Sequence, residues 1–206
     1  MSQRAFLEEQ ARQRASEAVK AVEAQTSAEV VVAVRRRSAS YRGASYLFAS
    51  LCSCGALGHL FLSPKLYDVR AIPLELLLAF GLGFLVASAL PPLQRLFTLE
   101  RHQVAQVAMA SRAAFYDLGI AGTRGRNGIL IYVSLLERRV EVLSDLGVDE
   151  KRLGEGWATA TQAMRAAVRR FDFAALLAAI EGLGPVLAKV MPRSEDDVNE
   201  LGDEPC

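Results

Sequence analysis

The sequence predicts an α/β fold: a small central sheet flanked by helices and interrupted by a two-helix transmembrane hairpin. Three observations predict it. Residues 129–135 are almost continuously apolar and rich in β-forming types, as in a strand buried on both faces of a sheet. Two runs, 44–63 and 71–90, carry between them a single formal charge, Glu75. Each is about the twenty residues a helix needs to cross a hydrocarbon core of roughly 30 Å. The stretches on either side place apolar residues at helical spacing, with charges between them.

The bulk numbers narrow the function classes. The 206 residues suit one domain with an extra, or two small ones. Lys and Arg number 24 against 23 Asp and Glu, so no basic field points to nucleic acid. Cys52, Cys54 and Cys206 give no even disulfide framework. Cys52 and Cys54 lie in an apolar run without the second pair of ligands that a zinc site needs. Charges dotted through the first 25 residues leave no apolar core for a signal peptide.

Residues 4–25 read as an amphipathic helix, with Phe6, Leu7, Ala11, Ala15, Ala18, Val19 and Val22 on one face. Thr26 and Ser27 break it, and Glu29 opens a strand over 29–34 that shows no alternation and is expected to be central. Arg35, Arg36, Arg37 and Arg42 precede the first span, and Arg95 and Arg101 follow the second, whereas the loop between them holds Lys65 and Arg70. That bias places both chain ends and the soluble domain on the cytoplasmic side of the plasma (inner) membrane. Pro91 and Pro92 end the second span.

Thr98 is placed to cap the next helix, striped by Val104, Val107, Ala108, Ala114, Phe115 and Leu118 and stopped by Gly119 and Gly122. Residues 129–135 and the alternating Arg139-Val-Glu-Val-Leu143 then pair antiparallel through a tight turn at Leu136 and Glu137. Trp157, Ala160, Met164, Ala167 and Val168 mark a helix. Asp172 caps a last one, striped by Leu176, Leu177, Ile180, Leu183, Leu187 and Val190 and closed by Pro192. The acidic tail, 193–206, has little to bury and reads as disordered. One strand, or a ribbon of two, is marginal in water, so 1–43 and 95–192 are expected to form one split domain around the hairpin at 44–90.

Several motifs, in order, resemble the TPM-domain family. They are Glu23-Ala-Gln-Thr-Ser-Ala-Glu-Val-Val-Val32, Leu118-Gly-Ile120, Arg126-Asn-Gly-Ile-Leu-Ile131, Glu137-Arg-Arg-Val-Glu-Val142, Asp145-Leu-Gly-Val148, Trp157 and Phe171-Asp-Phe-Ala174. Ala28 stands where the family usually has glycine, and the membrane spans are internal, not terminal. The resemblance implies a sheet sandwiched by helices in thylakoid or bacterial envelope proteins. Some of these are associated with phosphatase activity and divalent-cation binding, others with assembly or quality control. The leading expectation is a binding or scaffold module, held by the lipid bilayer and contacting another membrane or envelope protein. The alternative is a metal-dependent phosphatase.

If the first strand runs parallel to 129–135, Glu29, Asn127 and Asp145 gather at one end of the sheet. Two carboxylates and an amide oxygen are the hard ligands that Ca²⁺ or Mg²⁺ takes, although two acids fall short of a full Ca²⁺ shell. The plainer reading of the same residues, preferred over a cation site, is an ion pair of Asp145 with Arg126 or Arg124, with Glu29 accepting backbone N–H groups. Arg124 and Arg126, in the glycine-rich loop 122–128, could cradle a small anion. That loop leads into a strand, so it is not a nucleotide-binding phosphate loop, and a flexible connector is its plainer reading. No serine, cysteine or histidine has a partner at a spacing that identifies a catalytic residue.

Overall fold

The computed structural model describes residues 9–65, 67–193 and 200–201. Phe6 and Leu7 of the first amphipathic stripe lie outside the described residues. The chain divides into two compact units, 1–38 with 106–206 and 39–105, the second of the two boundaries falling within a helix.

In the first unit a three-stranded mixed sheet has the order β1-β2-β3. Strand β1 (Glu29–Arg35) runs parallel to β2 (Gly128–Ser134), in register from Glu29 opposite Gly128 to Arg35 opposite Ser134. Strand β3 (Arg139–Ser144) returns antiparallel, with Ser134 opposite Arg139. The turn is wider than the sequence suggests: Leu135 leaves β2 and joins it, and Arg138 takes a left-handed φ of 54° to close it.

The expectation that β1 is central is corrected, since β2 alone lies between two strands. The missing alternation reported burial on two faces, not the number of neighbouring strands. Val30 and Val32 face one core and Val31 and Ala33 the other, all nearly inaccessible.

The first core lies beneath α1 (Glu9–Glu23), α6 (Glu150–Arg170), α7 (Phe173–Glu181) and α8 (Leu183–Ala188). Val19, Val22, Trp157, Met164, Leu176 and Ile180 close over Val30, Val32, Ile129, Ile131 and Val133. Each fully buried Ile, Leu or Val contributes about 1.5–3 kcal/mol, which makes this layer the main source of stability. The second core is smaller: Val107, Ala114 and Phe115 of α5 (Glu100–Asp117), with Ile120, cover Val31, Ala33, Leu130 and Tyr132.

Caps follow the residue chemistry. Asp149 accepts from the backbone N–H groups of Lys151 and Arg152 at the head of α6, and Asp172 from that of Ala175 at the head of α7. Gly154 sits at φ 59°, ψ −139°, a conformation closed to other residues, and kinks α6 in its first turn. The single last helix of the sequence reading is two, α7 and α8, separated at Gly182. Thr98 donates its hydroxyl to Gln94 O instead of opening α5 as a cap.

The second unit is a helical hairpin, α2 (Arg42–Leu62) and α3 (Ile72–Ala89), followed by α4 (Pro91–Leu96) and the start of α5. Both long helices are apolar and long enough to cross a membrane, and 11% of each one's most apolar stretch is buried. A core helix of a water-soluble protein is mostly buried; these two are not. They meet through small residues: Ser45, Ala49, Gly83 and Ala87 are buried, and a Cβ on Gly83 would stand 3.0 Å from Ala49 Cα. The unit extends past the apolar run because α4 and α5 residues pack within it. Phe48 and Phe97 rings meet edge-on at 5.3 Å, and Gln94 Nε2 donates to Ser45 Oγ.

Candidate functional site

The parallel pairing brings the three residues picked from the sequence to one end of the sheet. Glu29 opens β1 opposite Gly128, Asn127 precedes it, and Asp145 follows β3, its N–H donating to Gly128 O at 2.9 Å. Both carboxylates are buried, with 5% of each residue exposed.

Each of these groups meets the chain itself. Arg126 Nε lies 2.9 Å from Asp145 Oδ2, and Oδ1 accepts the Leu146 N–H at 2.7 Å. Oδ2 is buried and receives no hydrogen bond, so the Arg126 contact is ionic without linear alignment. Arg126 also donates from Nη1 to Ala121 O, and its own φ is 51°. Asn127 donates its side-chain N–H to Ser27 O, and Glu29 accepts the backbone N–H groups of Glu200 and Leu201 at 3.3 Å each.

Among the described residues, no three His, Cys, Asp or Glu side chains come together as a metal site would require. A divalent ion here would have to draw Asp145 away from a guanidinium and Glu29 from two amides. Each exchange opposes binding by the charge-assisted contact it breaks.

The glycine-rich loop is closed in the same manner. Arg124 donates its backbone N–H to Glu200 Oε2 at 3.1 Å, so the anions facing this loop are carboxylates of the same chain. Gly147 explains the tight fit: its N–H donates to Arg126 O at 2.8 Å, and a Cβ there would stand 2.4 Å from Gly125 O. Glu200 and Leu201 belong to the tail read as disordered. At these two residues the chain is hydrogen-bonded to the fold, and the rest of that expectation, over 194–199 and 202–206, falls outside the described residues.

A second polar constellation, which the sequence reading did not single out, lies at the carboxyl ends of the two parallel strands. Open α/β sheets bind ligands at such ends. A cavity of about 460 Å³ is lined there by Arg35, Arg37, Ser38, Gln106, Asp117 and Tyr132, with apolar side chains of α5. Behind it runs a hydrogen-bonded chain. Ser38 Oγ donates to Ser134 Oγ at 2.8 Å, Ser134 Oγ donates to Glu137 Oε2, and the Ser38 N–H donates to Glu137 Oε1 at 2.9 Å. With both serine protons so directed, the Tyr132 hydroxyl, 3.2 Å from Ser38 Oγ, is the donor of that pair. Burial raises the Tyr132 pKa above 10.0, with Glu137's charge adding to the rise and the Ser38 hydrogen bond and Arg35 opposing it. The one sequence signal for this site was the arginine run ending β1, which reads as a membrane flank when taken alone.

No protein-family model matches the chain, and no curated protein matches it. Among solved structures the chain is similar to the NMR structure of BA42 protein from the psychrophilic bacterium Bizionia argentinensis. The identity is 17%, the match covers 94% of this chain and 90% of that one, and the TM-score is 0.55. At that identity the likeness is one of fold.

Proposed function

We propose that this protein is a membrane-anchored, TPM-like α/β binding or scaffold module on the cytoplasmic face of the membrane. Its α/β unit contacts another membrane or envelope protein in an assembly or quality-control role. The observation that carries the reading is the bare apolar helix pair. Leu51, Phe61, Leu74, Leu77, Leu82 and Leu85 are each more than half exposed, a continuous apolar surface that water disfavours and lipid accommodates. The state of the sheet-end acids favours binding over catalysis. Asp145 and Glu29 are held by groups of their own chain, whereas a phosphatase centre keeps its acids open to metal and substrate.

The test is an assay of the detergent-solubilised full chain with a simple phosphomonoester, with and without Mg²⁺ or Ca²⁺. Phosphate release is expected to be the same for the wild type and Asp145→Asn. Metal-dependent release that disappears in Asp145→Asn overturns the scaffold reading in favour of the metal-dependent phosphatase.

A further inference from the structure

At the end of the sheet away from Asp145, four arginines are among the residues that line one small cavity. Arg138 and Arg139 come from the turn and first residue of β3, and Arg165 and Arg169 from successive turns of α6. The cavity measures about 240 Å³, and among the described residues Glu141 is the one carboxylate lining it. Like charges four apart on a helix repel, and two more arginines at the same cavity add to that cost.

Arg138 is held in place. Its guanidinium carbon sits 4.5 Å above the Phe171 ring centroid. Arg138 and Phe171 both adopt φ 54°, and they are two of the three described non-glycine residues with positive φ. A side chain in that region costs about 1 kcal/mol or more, so the fold holds a strained turn and a strained helix end against each other here. The result is one fixed guanidinium, Arg138, beside further arginines, and guanidinium groups recognise planar or tetrahedral oxyanions by paired N–H contacts.

We propose that this cavity binds a phosphate group. Arg138, Arg165 and Arg169 set against Glu141 leave two positive charges, which a phosphate monoester dianion balances and a single carboxylate does not. The volume of about 240 Å³ is enough to admit a phosphate group. Two sources share this chemistry, a soluble phosphate ester and a phospholipid headgroup.

The probe is inorganic pyrophosphate, titrated calorimetrically into the full chain in phosphatidylcholine nanodiscs at low salt. Saturable binding at one site is expected. Arg165→Gln combined with Arg169→Gln should weaken it tenfold or more, since each charge-assisted contact accounts for at least a factor of about ten. Glutamine keeps helix propensity at these exposed positions, and circular dichroism verifies the fold. The control, Lys151→Gln with Arg152→Gln, removes the same charge from the other end of α6 and should change affinity less than twofold. Absence of saturable binding, or equal weakening in both variants, overturns the proposal. Phosphatidylglycerol nanodiscs separate the sources: tenfold weaker pyrophosphate binding there identifies headgroups as the competing ligand, and unchanged affinity identifies a soluble ester.

Discussion

Tyr132 lies in the middle of β2, yet it ends a polar chain assembled from residues almost a hundred positions apart. Its hydroxyl donates to Ser38, and the direction of every later donor is fixed by the Glu137 carboxylate at the far end. Burial disfavours the phenolate, so the folded protein holds the Tyr132 proton more tightly than the unfolded chain does, against the opposing Ser38 hydrogen bond. Stability from this group is complete below about pH 10, the unfolded value, and is lost as pH rises through the higher folded value. In an ultraviolet titration of the full chain, a tyrosine step above the ordinary range is expected, and Tyr132→Phe should remove it. At neutral pH the same variant should cost about 1 kcal/mol in a denaturant melt, because Ser38 Oγ loses its incoming donor. A titration unchanged by Tyr132→Phe would mean that the phenol is wetter than its 2% exposure implies.

Elements were legible in the sequence where one periodicity acted alone, and obscure where two long-range effects met. The apolar run of β2 and the alternation of β3 gave both strands and their pairing, and Asp172 gave the head of α7. The edge position of β1 was hidden because helices on both faces bury an edge strand as fully as a central one. The break between α7 and α8 was hidden because Leu176, Ile180, Leu183 and Leu187 all reach the core on either side of it. At the sheet end, the Asp145–Arg126 pair was one of two readings that the residue types allowed. The Ser38–Ser134–Glu137 chain could not be read at all, since no local spacing connects Ser38 to β2.

The hairpin offers a direct test at the same scale. A Cβ on Gly83 would stand 3.0 Å from Ala49 Cα and from Cys52 Sγ, so the two helices are as close as glycine permits. Gly83→Val should force α3 away from α2 and destabilise the hairpin by about 1–3 kcal/mol in a thermal melt in detergent. Gly81, on the same helix with open space around its Cβ position, should accept alanine with little change.

Taken whole, the chain leaves the α/β unit after β1 and returns for β2, and the seven paired positions from Glu29 to Arg35 require both crossings of that boundary to reach one compartment. With α2 and α3 crossing the bilayer as proposed, an even number of spans satisfies this without reference to charge. Charge then selects the compartment: arginines at 35, 36, 37, 42, 95 and 101 outnumber Lys65 and Arg70 in the connecting loop, which favours the cytoplasm for the α/β unit. Two single-thiol reporters separate these claims, each built with Cys52 and Cys54 replaced by serine. The first keeps Cys206, and the second replaces Cys206 by serine and carries Val69→Cys in the exposed loop between the spans. A maleimide that cannot cross membranes should label Val69→Cys in intact cells and reach Cys206 after permeabilisation. The reverse pattern would keep the hairpin and invert its orientation. Labelling of both reporters in intact cells would mean that the loop and the carboxyl terminus share one side, and the paired helices would then not span the bilayer at all.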